Sequence, residues 1–322
     1  MMHRFFIRIL TFALLVGCSV SPAPASLPAS NTEIGSIPEP TSVEPTVATP
    51  LPQSGYVAVA AETVVATVPP LAPDEWRTLP VTPISISDQM RILYQLGLEL
   101  GNDPTHFSII GDCQNVSSYF LSAFDNPDDF SLGSEYAHLQ PTIDYYHGSY
   151  SRTSLAVKGG FNAAAVISPL RGDPKSCKPN ESPLDCELRV WNPSIVFVSM
   201  ETWWSEKPAE EYDKYMRRVL DRIIETGAVP IIATKADNLE SDHSINATIA
   251  QIAYEYNIPL WNFWASVQPL ADHGLSEDGF HLTFARNFFD DRARMKSAWP
   301  WRNLTALQTL DAVHKGLTEA RP

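Results

Sequence analysis

The hydrophobic pattern of the chain changes twice along its length. A short apolar segment at residues 5–16 is followed by a long stretch without periodicity, and from about residue 84 apolar runs alternate with amphipathic stretches. The runs at residues 194–200 and 228–235 are apolar nearly throughout, which is typical of strands buried on both faces of a parallel sheet. Strands that alternate with helices predict an α/β protein, a three-layer α/β/α sandwich with a parallel central sheet.

The remaining elements follow from apolar spacing and terminal residues. Ser87 is expected to cap the helix that begins just after it. Further helices are predicted at residues 114–124, 210–227, 246–257 and 302–317, and further strands at residues 107–111 and 258–264. The last helix is amphipathic and is expected to close the sheet. Chemistry in such sheets collects at the carboxyl ends of the strands, so candidate residues are expected there.

The first 18 residues have the features of an export signal. Basic residues precede the apolar segment, which is too short to span a bilayer as a helix. It ends in Leu-Leu-Val-Gly-Cys at residues 14–18, which resembles the lipobox of bacterial lipoproteins. The resemblance implies cleavage before Cys18 and lipidation of its thiol. The domain would then face the extracytoplasmic space, anchored at the cell membrane or outer membrane. An ordinary secretory signal with an incidental cysteine is the alternative.

Composition separates a tether from a folded domain. Residues 19–83 are rich in Pro, Ser, Thr, Ala and Val and carry few charges, which predicts an extended tether. Residues 84–322 then form the folded domain. The net charge of −14 argues against a nucleic-acid partner, because little here could neutralise a phosphate backbone. A monomer is expected, joined to a membrane through Cys18.

The other cysteines raise a question of pairing. Cys177 and Cys186 flank a polar loop, and an oxidising compartment favours a disulfide between them, with two thiols as the alternative. Cys113 follows a predicted strand and a Gly-Asp turn. It is either an attacking group or a small buried apolar residue. At the start of a helix its thiol pKa would be lowered by the helix dipole.

Two other segments follow strands with suitable chemistry. Asp278 and His281 lie three residues apart on a glycine-containing loop, where the acid can fix the tautomer of the imidazole. A plain surface loop is the alternative for this pair. Gly159 and Gly160 follow a possible strand, and their N–H groups could stabilise an oxyanion. An ordinary turn is the alternative there.

Taken in order, these three segments resemble the SGNH/GDSL hydrolase family. The resemblance covers residues 84–318 and extends to residues 227–238 and to the His-Leu-Thr that begins at His281. It implies a flavodoxin-like fold and an ester hydrolase. Cys113 stands in the place of the family's nucleophilic serine, with His281 as the base and Asp278 as its partner.

The resemblance also implies an oxyanion hole, and there the chain shows a second departure from the family besides its cysteine. The amides of Cys113 and Gly160 would form the hole, with Gly159 as the neighbouring choice. The family has an asparagine after its central strand, and here Trp203 stands in its place. Losing one oxyanion donor typically costs about 10² to 10³ in rate. Asp112, Trp203 and Trp204 are predicted to line the substrate site.

The leading hypothesis is an exported, membrane-tethered acyl-ester hydrolase acting on an ester-bearing small molecule or an acylated glycan. One alternative is a lipoprotein that binds glycan through Trp203 and Trp204 on a catalytically degenerate fold, and another is an acyltransferase. No metal or organic cofactor is implied. The chain has no Gly-x-Ser-x-Gly, no phosphate-binding glycine loop, and no Cys-x-x-Cys or His-Glu-x-x-His pattern.

Overall fold

The computed structural model describes residues 70–72, 74–200 and 209–319. The signal segment with Cys18, most of the tether, and Trp203 and Trp204 therefore lie outside the described residues. The strands are β1 (Asp103–Gly111), β2 (Phe130–Ser131), β3 (Pro193–Ser199), β4 (Val229–Ala233), β5 (Leu260–Trp261) and β6 (Asn287–Phe288). The α-helices are α1 (Asp88–Glu99), α2 (Gln140–Tyr145), α3 (Ala163–Val166), α4 (Pro183–Trp191), α5 (Ala209–Glu225), α6 (Ser244–Tyr256), α7 (Phe263–Val267) and α8 (Ala298–Thr318).

The central sheet is parallel and has the strand order β1-β3-β4-β5. Every residue of β3 and β4 is buried, which explains why both strands read as continuous apolar runs. Gly111 at the end of β1 lies opposite Ser199 at the end of β3. On its other side Gly111 forms a single parallel bridge with Val157. The strand ends that carry the candidate residues therefore meet at one edge.

Helices cover both faces of this sheet. The long helix α8 packs with α1, α2 and α7, while α5 packs with α3, α4 and α6. The Ser87 hydroxyl accepts a hydrogen bond from the Met90 N–H at 3.3 Å, as expected of the N-cap of α1. The prediction of an α/β protein with a parallel central sheet is confirmed. None of the helices in the described part is long and apolar enough to cross a bilayer.

Short 3₁₀ helices connect many of these elements. They are Glu75–Thr78, Cys113–Asn115, Ser122–Asp125, Pro127–Asp129, Ala137–Leu139, Pro169–Arg171, Ala271–Gly274 and Arg294–Lys296. The strands β2 and β6 form a separate two-stranded parallel ladder, in which Phe130 lies opposite Asn287.

The folded region begins earlier than the sequence predicted. Trp76 is 3% exposed, and its ring centroid lies 4.8 Å from that of Trp264. The amide of Asn262 donates to the carbonyls of Trp76 and Leu79, both at 3.0 Å. The boundary at residue 84 is therefore wrong, because the last residues of the predicted tether pack beside the end of β5.

The predicted helix at residues 114–124 is also wrong. The chain forms only the 3₁₀ turn Cys113–Asn115 there, and a second one follows Leu121, which has a left-handed φ of 62°. The reason is tertiary: Asn303 on α8 accepts from the Leu121 N–H at 2.7 Å and donates to the Tyr119 carbonyl at 3.0 Å. These bonds occupy backbone groups that a helix would have paired internally.

Most other predicted elements are confirmed, with shifted ends. The predicted strand at residues 258–264 is shorter, because Asn262 turns away to bond the Trp76 segment and α7 begins at Phe263. The last helix begins at Ala298 rather than residue 302. Pro300 lies in its first turn, where backbone N–H groups have no partner within the helix, so proline costs no helical hydrogen bond.

Candidate active site

The Cys113 turn lies directly over the ends of β1 and β3. Asp112 Oδ1 accepts from the Gln114 N–H at 3.0 Å and from Asn115 Nδ2 at 3.2 Å. Asn115 Nδ2 also donates to the Ser199 carbonyl at 2.8 Å. The turn is therefore fastened both to itself and to the neighbouring strand. Cys113 begins it as a half-buried thiol.

Gly111 is required by the close packing of this turn. A Cβ added at Gly111 would lie 2.5 Å from the Asn115 Cβ, well inside van der Waals contact. The Asn115 side chain thus occupies the space that any other residue would need. This packing explains the glycine two residues before Cys113.

A buried arginine supports the turn from below. Arg302 on α8 is fully buried, and its Nη2 donates to Asn115 Oδ1 at 3.1 Å and to Ser199 Oγ at 2.9 Å. Its guanidinium carbon lies 4.8 Å from the Phe120 ring centroid and 5.3 Å from that of Trp261. Charge-assisted bonds and aromatic faces together hold this cation in place.

Asp278 and His281 form the contact that the sequence predicted. His281 Nδ1 lies 2.5 Å from Asp278 Oδ2, while Asp278 Oδ1 accepts from the N–H groups of Phe280 at 3.0 Å and His281 at 2.9 Å. The His281 hydrogen bond, with these two amides, lowers the pKa of the Asp278 carboxyl from 3.8 to about 2. An ionised carboxylate at Nδ1 leaves Nε2 of the imidazole to act as a base.

One hydrogen bond connects the imidazole loop to the thiol turn. Gln114 Nε2 donates to the Phe280 carbonyl at 3.1 Å, and Gln114 is 3% exposed. Gln114 follows Cys113 in the chain and Phe280 precedes His281. The two segments are therefore brought together at the carboxyl edge of the sheet, from opposite ends of the folded chain.

The paired glycines lie beside the same turn. A Cβ added at Gly159 would be 3.8 Å from the Cys113 Cβ, and Gly160 has a left-handed φ of 81°. Within the described residues, neither glycine N–H donates to another protein group. Both residues are exposed. The glycine whose α-carbon faces Cys113 is Gly159, and the adjacent Gly160 makes the turn.

Two expectations about the thiol turn require correction. Asp112 does not line a substrate surface, because it is fully buried and its carboxylate bonds Gln114 and Asn115. The dipole of a long helix does not act on Cys113 either, because only the 3₁₀ turn Cys113–Asn115 follows it. Trp203 and Trp204 lie outside the described residues.

The disulfide between Cys177 and Cys186 is formed, with a Cα–Cα distance of 5.2 Å. It confirms the pairing expected from the loop. Among the described residues, these sulfurs and a Glu181 oxygen lie within 4.8 Å of one another, a spacing that could hold a metal ion. Both sulfurs are in the disulfide, however, and Glu181 pairs with Arg189 at 2.6 Å.

Three residues that hold the site together were not found from the sequence. Gln114 and Asn115 follow Cys113 directly, but the local pattern predicts an ordinary helix there. Arg302 lies 187 positions from Asn115, and the sequence predicts it only as part of an amphipathic helix. Only the Gly-Asp-Cys-Gln-Asn run gave a local signal, and no local signal exists for Arg302.

No family model matches the chain, and no curated protein matches it. Among solved structures, it is similar to a protein from Desulfitobacterium hafniense DCB-2 assigned to the G-D-S-L family of lipolytic proteins. The two are 14% identical, the alignment covers 64% of this chain and 99% of that chain, and the TM-score is 0.38. At these values the likeness assigns no residue, and the site rests on the contacts described above.

Proposed function

We propose that this chain is an acyl-ester hydrolase of the SGNH/GDSL type, with Cys113 as nucleophile, His281 as base and Asp278 as the residue that orients His281. The contact between His281 Nδ1 and Asp278 Oδ2 at 2.5 Å carries the proposal. The hydrogen bond from Gln114 to Phe280 supports it, because it brings the imidazole loop to the thiol turn. The parallel sheet supports it as well, since such sheets place reactive groups at their carboxyl ends.

The first half of the reaction transfers the acyl group to sulfur. His281 Nε2 takes the proton of the Cys113 thiol, and the thiolate attacks the ester carbonyl carbon. The tetrahedral intermediate then expels the alcohol, which receives that proton from His281. A thioester on Cys113 and a neutral imidazole remain. Asp278, ionised above about pH 2, stabilises the imidazolium while it carries the proton.

The second half returns the thiol. His281 removes a proton from water, the hydroxide attacks the thioester carbonyl, and the carboxylic acid leaves as sulfur regains its proton. The negative oxygen of both intermediates would be held by the backbone N–H of Cys113 and by the turn at Gly159 and Gly160. The absence of other protein partners for these two glycine amides, within the described residues, favours this role.

The enzyme would act outside the cytoplasm. The lipobox-like segment that ends at Cys18 supports a lipid anchor, and the greater part of the stretch at residues 19–83 would supply the tether. A disulfide between Cys177 and Cys186 agrees with an oxidising compartment. Metabolic labelling of the expressed full chain with a clickable palmitate tests the anchor, with Cys18→Ala as the control that should lose the label.

Ester hydrolysis by the purified full chain tests the reaction itself. We expect turnover of 4-nitrophenyl acetate, with kcat/KM reduced by about 10³-fold or more in Cys113→Ala and in His281→Ala. Mass spectrometry should find a hydroxylamine-sensitive acyl group on Cys113 during turnover. The double variant should be no slower than the slower single variant, because the two residues act in one step.

The same assay separates the alternatives. Equal activity in wild type, Cys113→Ala and His281→Ala would reject the mechanism. Transfer of the acyl group to an added sugar hydroxyl in preference to water would identify an acyltransferase. Saccharide binding without any turnover would identify a binding protein on a hydrolase-like fold.

A further inference from the structure

An aromatic-rimmed cleft is lined by the segments that follow the thiol turn and the imidazole loop in the chain. It encloses about 210 Å³, and its rim carries Tyr119, 49% exposed, and Phe284, 63% exposed. The two ring centroids are 5.9 Å apart at an interplanar angle of 81°, so the rings form a corner. Trp299 stacks beneath Tyr119 at 5.4 Å and fixes that ring. Two large aromatic side chains are thus held at the surface.

Polar groups line the remainder of the cleft. Ser118, Ser122, Asp129, Arg286 and Asn287 all contribute to its wall. Asn287 Oδ1 accepts from Asn303 at 2.9 Å, which orients the Asn287 amide. Within the described residues, the Asn287 amide nitrogen and both serine hydroxyls donate to no protein group. The cleft therefore combines ring faces with several available hydrogen-bond donors and acceptors.

This cleft lies close to the proposed base. Phe284 follows His281 by three residues, and a fully extended chain of that length spans at most about 11 Å. The intervening chain is fixed: the Thr283 N–H donates to the Gly274 carbonyl at 2.8 Å, and the Thr283 carbonyl accepts from the Trp299 N–H at 3.1 Å. The Phe284 side of the cleft is therefore held on the same chain segment that carries the imidazole.

We propose that this cleft is a saccharide subsite, and that the ester the enzyme cleaves is carried by a glycan. The inference rests on the proposed function for the reaction, and it adds the substrate class and the residues that select it. The apolar face of a sugar ring packs on Tyr119 or Phe284, because an aromatic side chain presents a large apolar face. The sugar hydroxyls form hydrogen bonds with Ser118, with Asn287 and with the ion pair of Asp129 and Arg286. In that pair Asp129 Oδ1 lies 3.8 Å from Arg286 Nη2.

The polar wall favours a sugar over an acyl chain. A fatty chain would bury the carboxylate of Asp129 and the guanidinium of Arg286 against hydrocarbon, which is unfavourable without replacement hydrogen bonds. A sugar supplies those bonds. The volume of about 210 Å³ also suits one ring better than a drug-sized or lipid ligand.

Direct binding tests this subsite. The full chain in detergent is titrated by calorimetry with cellotetraose and with chitotetraose, in wild type and in Cys113→Ala. We expect saturable binding of at least one of them by both proteins. Phe284→Ala and Tyr119→Ala should each weaken it by about three- to ten-fold, while Phe284→Tyr retains it. Tyr254→Ala is the matched control, because Tyr254 is 43% exposed on α6 and lines no part of the cleft.

The results separate this inference from the proposed reaction. Saccharide binding that depends on Phe284, with no ester turnover in wild type, would support the subsite and reject the hydrolase. Aryl-ester turnover that depends on Cys113, with no saccharide binding, would overturn the subsite alone. The subsite would also be overturned if Tyr254→Ala weakened saccharide binding as much as Phe284→Ala does. Phe284-dependent binding to phosphatidylglycerol vesicles, without any saccharide binding, would overturn it too.

Discussion

The side-chain amide of Gln114 donates to the backbone carbonyl of Phe280 at 3.1 Å, across 166 positions of sequence. Gln114 adjoins Cys113 and Phe280 adjoins His281, so this bond joins the two segments that carry the groups proposed to react. Both residues reach the bond from short loops rather than from long helices or strands. Their relative position therefore depends on this contact more than it would in a rigid element.

Removing this bond should reduce catalysis more than stability. Gln114→Met keeps the length of the side chain and deletes the donor. We expect kcat to fall by about ten- to hundred-fold with KM little changed, because a misplaced base slows the chemical step. The free energy of unfolding should fall by only about 1 kcal/mol, which is typical of one hydrogen bond. Steady-state kinetics and urea unfolding measure the two effects.

Two further variants distinguish positioning from general damage. Gln114→Glu can donate to the Phe280 carbonyl only while the introduced carboxyl is protonated, so its activity relative to wild type should rise as the pH is lowered. Gln140→Met is the matched control, because the exposed Gln140 amide also donates, to Asp144 at 2.9 Å on α2. Wild-type kcat in Gln114→Met would contradict the positioning role.

The lowered pKa of Asp278 should depend on His281. The carboxyl titrates at about 2 because His281 donates to it, with smaller effects from the Phe280 and His281 amides. In His281→Ala the pKa should therefore rise part of the way to 3.8, since the backbone bonds remain. Carbon-13 NMR of labelled aspartate carboxyls measures it.

The sign of the pH effect follows from the depressed pKa. Asp278 contributes its stabilisation fully above the pKa of the unfolded carboxyl, about 3.9, and loses it as the pH falls toward 2. Asp291 is the matched control, because the Ala293 amide chiefly lowers its pKa and His281→Ala should leave it unchanged. Titration of Asp278 near 4 in the wild type would contradict the contact.

The sequence was sufficient for the sheet and for the acidic partner of the imidazole. Burial on both faces requires β3 and β4 to be apolar nearly throughout, so the amino-acid sequence alone reveals these two strands. The contact between Asp278 and His281 spans three residues of one loop, and local spacing reveals it. Interactions within one element or one turn can be predicted in this way.

Two failed predictions, the helix at residues 114–124 and the boundary at residue 84, involve partners that are distant in sequence. Residues 114–124 have a helix-compatible pattern, but Asn303 bonds the Leu121 amide and stabilises a left-handed residue there. Composition places Trp76 in the tether, because nothing near it in sequence marks Trp264 as its partner. Long-range contacts of this kind override local preference, and one sequence carries no sign of them.

Replacing Arg302 should loosen the Cys113 turn. Its Nη2 bonds both Asn115 and Ser199, and either Arg302→Lys or Arg302→Met would leave buried acceptors without that donor. We expect the free energy of unfolding to fall by about 2–4 kcal/mol in both variants. The rate at which iodoacetamide alkylates Cys113 should change as well.

A surface arginine nearby provides the comparison. Arg294 pairs with Asp291 at 3.0 Å, and its side chain is 37% exposed. Arg294→Lys should change the free energy of unfolding by less than about 1 kcal/mol, as expected of an exposed ion pair. If Arg302→Lys behaved like Arg294→Lys in urea unfolding and in alkylation, Arg302 would not support the turn.

A glycine in α1 provides a case in which packing opposes helix propensity. Alanine in the middle of a helix is ordinarily favoured over glycine by about 1 kcal/mol. A Cβ at Gly97, however, would lie 2.8 Å from the Gly227 carbonyl carbon and closer still to its oxygen. Gly227 has a φ of 77° and leads from α5 into β4, so its backbone cannot easily move away from a Cβ at Gly97.

Gly97→Ala should therefore lower the free energy of unfolding, by about 1–3 kcal/mol, despite the gain in propensity. Gln95→Ala on the exposed side of α1 is the matched control and should be neutral or slightly stabilising. Urea unfolding of both variants measures the difference. If Gly97→Ala were as stable as Gln95→Ala, α1 would not approach the turn before β4 so closely.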